Sequence, residues 1–346
     1  MTIAAFTSFS LNYFGRAKTW ADSVRRVHPD WKLVAVLVDE APEGFDMAPI
    51  AAAFDEVLTP DRFMGEDHRP WLFGHDIVEA CTAVKGAALR YLLDDPAHAK
   101  VLYFDPDTAV FSPLDPLIDQ LDHCNIILTP HQVEPDETPL GISDNEITSL
   151  HYGTYNLGFI AVANTEESRR FAAWWEARLH DWCHDRLDVG LFVDQKWCNL
   201  VPCFFDGVMT WRDPGYNVAS WNISRRDIRF DDAGDLLAND RPLTFFHFTK
   251  LGPVGDIMTQ RYAGSDSDVY ELWAWYKMAV EANEPDGLPE KWWKYDRFSD
   301  GEKIPKPARV LYRDRPDLRD TFPDPFDSDG DSYSAWLRQN TDLMNA

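Results

Sequence analysis

The segment VLYFDPDTAVF, residues 101–111, places Asp105 and Asp107 one residue apart directly after an apolar run. Two carboxylates at that spacing can hold a hard divalent cation that also takes diphosphate oxygens. Asp39 and His131 follow apolar runs in the same way, and ligands of open α/β sheets bind beyond the carboxyl ends of strands. The triplets Asp266-Ser267-Asp268 and Asp329-Gly330-Asp331 repeat the Asp-x-Asp pattern in loop-like sequence and read as solvated surface. Strand context sets Asp105 and Asp107 apart, because burying carboxylates without a partner charge is costly. A phosphatase working through an aspartyl phosphate also ends a strand in Asp-x-Asp, with Thr or Val two places beyond the second Asp. Here Thr108 comes one place beyond and Val110 three, and the motif follows a long stretch of α/β sequence instead of opening it. Asp327, Asp329 and Asp331 lack the glycine placement of a helix–loop–helix calcium site.

The elements that must position these residues alternate between strand and helix patterns, as in a parallel sheet with crossover helices. Ile3–Ser8 reads as the first strand and Arg16–Val27 as a helix. Lys32–Val38 is an apolar run of the kind buried on both faces, and Asp55–Leu58 is a short strand. The amphipathic segment Asp76–Leu93 predicts a helix before the strand Val101–Phe104, and Asn125–Thr129 predicts another strand. In the second half, Gly158–Val162 reads as strand. Asn164 with Glu167 resembles a capping box for a helix over Glu166–Trp182. Leu243–Phe248 is the last strand, and helices are predicted over Val269–Glu281 and Ser334–Leu343. The fold class expected is α/β, with a mostly parallel Rossmann-like central sheet over residues 1–265. A helical and irregular C-terminal extension, residues 266–346, is expected to pack on the same domain.

Composition narrows the partners. Lys plus Arg total 33 against 58 Asp plus Glu, a formal charge of -25, and such a surface repels nucleic-acid phosphates and anionic lipid. No nucleic-acid partner is expected. The N-terminus lacks the basic and apolar regions of a signal peptide, and no run reaches the roughly 18 apolar residues of a membrane span. A cytoplasmic protein with no integral membrane segment is the expectation. Five cysteines without CxxC spacing suggest neither a disulfide framework nor a zinc site. The 14 tryptophans serve packing more often than sugar stacking. No feature of the sequence fixes an oligomeric state.

Six segments occur in one order: FTSFSLNYF, EACTAVKGAALRYLL, YFDPD, YNLGFIAV (155–162), DQKWCNL (194–200) and FHFTK (246–250). In that order they resemble GT-A fold glycosyltransferases over residues 1 to 263, nearest the retaining group that includes glycogenin and the lipooligosaccharide galactosyltransferases. FSDGEKI (298–304) and TFPDPFD (321–327) are similar to segments of related bacterial polysaccharide transferases. The resemblance implies that Asp105, Asp107 and His247 bind a divalent metal, Mn²⁺ or else Mg²⁺, and that Asp105 also contacts the donor. It implies that Thr7, Ser8, Asn12 and Tyr13 contact base and ribose, with Asp39 joining them, and that Lys85 faces a nucleotide-sugar donor, UDP-linked in the usual case. Asn156 and Gly158 match residues bounding the donor sugar pocket. Asp194 and Gln195 match the pair beside the anomeric carbon, where they would orient the sugar. Lys250 departs from the pattern, lying three residues past His247 where the family has a glycine and a more distant lysine; a phosphate contact is its expected role. Asn217–Asn222 (NVASWN) is expected to line the donor or acceptor pocket, with Trp221 as a stacking platform.

The implied activity is transfer of a hexose from a nucleotide diphosphate sugar to the hydroxyl of a glycan, glycolipid or other acceptor, with retention, in polysaccharide or glycoconjugate synthesis. Two other classes stay open. A sugar-nucleotide nucleotidyltransferase would share the α/β frame but opens with a glycine-rich phosphate loop, and FTSFSLNYF has no glycine. A catalytically silent nucleotide- or carbohydrate-binding protein would keep the cleft without needing metal ligands.

Overall fold

The computed structural model describes residues 2–65, 68–265 and 267–344; of the triplet at 266–268, Asp266 lies outside them. Seven strands form the central sheet in the order β8-β6-β7-β4-β1-β2-β3. They are β1 (Thr2–Phe9), β2 (Lys32–Leu37), β3 (Glu56–Leu58), β4 (His98–Phe104), β6 (Ile126–Pro130), β7 (Tyr155–Ala163) and β8 (Val208–Thr210). Neighbours run parallel except β7, which is antiparallel to both β4 and β6. The expected α/β class and mostly parallel sheet are what the structure has.

Apolar side chains leave both faces of these strands, which explains their unbroken apolar runs. In β4, Val101 and Tyr103 enter one core while Leu102 and Phe104 enter the other. Helices α2 (Ile77–Asp94) and α3 (Glu166–Trp182) cover the first face, and α1 (Phe14–Val27) packs Phe14, Ala17 and Trp20 on the second. Gly86 lets α2 and α3 approach closely: a Cβ there would lie 2.6 Å from the backbone N of Glu176 and 2.7 Å from its Cα. Gly86→Ala should therefore destabilise the protein by about 1–3 kcal/mol, despite alanine's better helix propensity. Urea unfolding tests this; a neutral or stabilising effect would mean the helices part at little cost.

Two local readings need correction. The cap of α3 is Thr165, whose hydroxyl accepts from Ser168 N. Asn164 instead donates to the carbonyls of Leu93, near the end of α2, and His98, at the start of β4, which lie within its reach. The reciprocal capping box belongs to Asp76 and Glu79 at the start of α2. The segment expected as strand over 243–248 is the short β9 (Phe245–His247), outside the central sheet and antiparallel to β5 (Thr108–Val110).

Residues beyond α4 (Val269–Asn283) return to the first core. Phe73 meets Tyr312 and Phe326 edge-on, both at 5.0 Å, and Tyr333 at 5.5 Å. Arg309, on α5 (Lys306–Asp314), is buried and donates to the carbonyls of Phe73, His75 and Tyr295. Of the tryptophans, Trp20 and Trp175 are fully buried, in keeping with a packing role.

Candidate active site

The strand pair β5–β9 builds the centre of the site. Chain reversal after β4 is fixed by Thr108, whose N–H and hydroxyl both donate to Asp105 O, at 3.2 and 2.8 Å. The register then sets His247 opposite Thr108, and Phe248 N donates to Asp107 O at 2.7 Å. Ligand atoms of Asp105, Asp107 and His247 all lie within 4.8 Å of one another. His247 Nε2 is 3.0 Å from Asp107 Oδ1 and 3.7 Å from Asp105 Oδ2. Burial opposes charge on His247, yet the Asp107 carboxylate outweighs it and raises the imidazole above its ordinary value. Asp107 is held below the usual carboxylate range by the same pairing, against the effect of burial.

These three side chains fit a divalent cation. Two carboxylates and one imidazole are a donor set that Mn²⁺ and Mg²⁺ accept. The carboxylates keep one open side, with side-chain exposures of 26% for Asp105 and 16% for Asp107, so a cation held there would keep further ligand positions open to solvent.

Behind the triad, Lys85 is 2% exposed. Its ammonium lies 3.0 Å from Asp105 Oδ1 and 2.9 Å from Asp194 Oδ2, and donates to Leu157 O at 3.1 Å. Burial alone would lower this amine, but Asp105 and Asp194 raise it well above its usual value. Burial pushes Asp194 up to about 6, with Lys85 pulling the other way. The ammonium thus donates to Asp105 and to Leu157 O and pairs with the Asp194 carboxylate, so Lys85 ties the acidic strand end to Asp194. Tyr103 OH donates to Asp105 Oδ1 at 2.6 Å, a contact that sequence reasoning missed because Tyr103 reads as ordinary strand core.

An amide cluster adjoins the triad. Asn156 Oδ1 accepts from Gly158 N and Asn217 Nδ2, both at 3.0 Å, while its Nδ2 reaches Gln195 Oε1 at 3.3 Å and His131 Nε2 at 3.2 Å. Gln195 Oε1 also accepts from Leu157 N. The Trp221 ring stands edge-on to His247, centroids 5.0 Å apart. Gly158 is required by packing: a Cβ would fall 2.5 Å from His247 Nδ1 and 2.7 Å from Asn156 Oδ1. We expect Gly158→Ala to displace the imidazole and weaken Mn²⁺ binding by about tenfold or more, measurable by electron paramagnetic resonance titration. Unchanged affinity would show that His247 does not ligate.

The remaining sequence-predicted residues are placed variously. Thr7 and Ser8 are buried at the end of β1; Ser8 Oγ donates to Cys81 O at 2.6 Å, and Thr7 Oγ1 has no hydrogen-bond partner among the described residues. Asn12 accepts from Ser10 Oγ. Tyr13 is exposed beneath the Arg16 guanidinium, 4.0 Å from its ring. Arg16 also acts on Asp107. It is a cation near the cleft that sequence reasoning passed over, since it reads only as the first residue of a helix. Asp39 accepts from the backbone N–H groups of Leu11, Glu40 and Lys294 at 3.0, 2.9 and 2.8 Å. Burial nonetheless pushes it up to about 7, the three donors opposing. Lys250 is exposed in a left-handed turn, φ 56°.

No family model matches the chain. Over 261 residues it is 23% identical to the uncharacterized protein YfnF of Bacillus subtilis (strain 168), covering 72% of this chain and 82% of that one. Over 174 residues it is 26% identical to YfnD of the same organism, covering 49% of this chain and 53% of its relative. Among solved structures, the galactosyltransferase LgtC in complex with donor and acceptor sugar analogues matches with a TM-score of 0.50 at 18% identity, over 84% of this chain and 99% of LgtC. An active-site mutant of LgtC, glutamine to glutamate, matches with a TM-score of 0.51 at 18% identity, over 85% and 100%. The chain has the GT-A fold of LgtC.

Proposed function

We propose that this protein is a metal-dependent glycosyltransferase that moves a hexose from a nucleotide diphosphate sugar, UDP-linked, to a hydroxyl acceptor with retention at the anomeric carbon. The observation that carries the reading is the meeting of Asp105, Asp107 and His247 beyond the carboxyl end of β4, with Asp194 and the Asn156–Gln195 amides beside them. A divalent cation held by the three side chains would neutralise charge developing on the leaving diphosphate. The protein's own part is positioning. Lys85 fixes Asp105 relative to Asp194, and Asn217 and Gly158 N fix the Asn156 amide. Asp194 and Gln195 then orient the donor sugar, and Trp221 offers an indole face beside His247. LgtC has a glutamine in its active site, and Gln195 is the glutamine at the centre of the cluster here, which favours a common use.

The acceptor would be a glycan, glycolipid or related hydroxyl in polysaccharide or glycoconjugate synthesis, and the compartment would be the cytoplasm. No helix among the described residues is long and apolar enough to cross a membrane.

Calorimetric titration of UDP and GDP, with and without Mn²⁺, tests the reading together with a hydrolysis screen across nucleotide sugars. Mn²⁺-dependent binding of UDP and slow release of one sugar are expected, and proton NMR of the released sugar should show the donor's anomer first. Absence of nucleotide binding under all conditions would sink the proposal; binding without hydrolysis or transfer would point to the silent binder.

A further inference from the structure

A cavity of about 470 Å³ opens between the segment 70–75, the segment 180–191 and α5. Its volume falls in the range of small-molecule sites. His75 lines it, 1% exposed, with Nε2 buried and without a hydrogen-bond partner. The other ring nitrogen, Nδ1, lies 2.9 Å from Trp71 O. A carbonyl can only accept, so Nδ1 carries the proton and Nε2 presents a lone pair. Burial pushes His75 down to about 3, so the ring stays neutral at physiological pH. Buried acceptors left without donors are rare and ask for an explanation.

The surroundings select the donor. Arg186, Arg313 and Arg319 line the same cavity, and its two carboxylates, Asp181 and Asp314, already pair with His180 and Arg313. A cationic donor would meet the arginines, and an anion would set lone pairs against the His75 lone pair. A neutral hydroxyl satisfies both sides, donating to Nε2 and accepting from a guanidinium. At the rim stands Trp182, 53% exposed, offering an aromatic face of the kind that stacks on an apolar ring surface.

We infer that this cavity is a second carbohydrate site, binding a neutral pyranose through His75, Arg313 and Trp182. None of its lining residues belongs to the acidic centre or the amide cluster, so a sugar held here is separate from any sugar at the metal site. The inference does not rest on the transferase reading, since nucleotide binding could fail while this site binds sugar.

Saturation-transfer NMR on the full-length protein, with glucose, galactose, mannose, maltose, lactose and cellobiose at millimolar concentration, tests it. Signal from at least one pyranose is expected. It should persist in saturating UDP and Mn²⁺, and weaken roughly tenfold in Trp182→Ala. Trp182 is exposed, so that variant should fold normally; His75→Phe removes the lone pair at similar volume and should also lose the signal. No signal from any of the six sugars would overturn the inference and leave a water as the His75 partner. Signal displaced by UDP, or signal unchanged in both variants, would overturn it equally.

Discussion

Asp107→Asn should abolish Mn²⁺-dependent nucleotide binding and lower sugar transfer by about 10³-fold. The substitution keeps the side chain's shape and removes one of the two anionic ligands, and the amide cannot supply the charge that balances a divalent cation. Asp107 also holds His247 in place through the 3.0 Å contact, so the loss reaches two ligands at once. The fold should survive, because the Asp107 carboxylate is 16% exposed and its near partner is the His247 imidazole; near-ultraviolet circular dichroism would confirm it. Mn²⁺ affinity of the wild type should rise with pH. The cation must displace the proton that Asp107 helps His247 retain, so affinity climbs up to about tenfold per unit while the imidazole is protonated and levels off above that range. Titrations at pH 6, 7 and 8 read this directly. Metal-dependent nucleotide binding that persists in Asp107→Asn, or affinity flat with pH, would remove the triad from the site.

Lys85→Met should be the most destabilising single change near the cleft, by about 3–5 kcal/mol. Lys85 is the counter-ion of Asp194, itself 2% exposed, and of Asp105. Removing the cation leaves a buried carboxylate without compensation, and desolvation and Asp105 already raise Asp194. The sign with pH follows. An aspartate whose folded pKa is raised above its unfolded value contributes stability that is present at low pH and lost as pH rises through the folded value. The variant's deficit should therefore be small near pH 5 and grow toward pH 8, measured by urea unfolding at both. Adding Asp194→Asn to Lys85→Met should recover part of the loss, because the orphaned charge goes with it. A deficit below 1 kcal/mol at pH 8 would show that water reaches this pair more freely than its burial indicates.

Much of the frame was legible along the chain because its information is local. Runs such as Lys32–Leu37 and Val101–Phe104 are apolar at every position since strands covered on both sides face no water. The spacing of apolar residues within Ile77–Asp94 and Glu166–Trp182 fixes helices that must cover the sheet. Asp105 and Asp107 were legible for the same reason, as charges set at the end of such a run. Lys85 was ambiguous: one lysine on an amphipathic helix looks solvated until the helix is docked. Asn164 was misread as a cap because either it or Thr165 satisfies the local rule, and only the nearby carbonyls of Leu93 and His98 decide between them.

By itself the sequence determined the layers, the acidic pair at the end of β4 and the net negative charge. The tertiary structure decided what those carboxylates face. His247 lies 140 residues from Asp107 and reaches it only because β9 pairs with β5 in one register. Asp194 meets Lys85 only because the docking of α3 brings the following loop under α2. The physical reason is that strand identity follows from period and hydrophobicity, which are written residue by residue. Strand pairing and the partners of buried charges depend on three-dimensional complementarity between distant segments, which no single window of the chain contains.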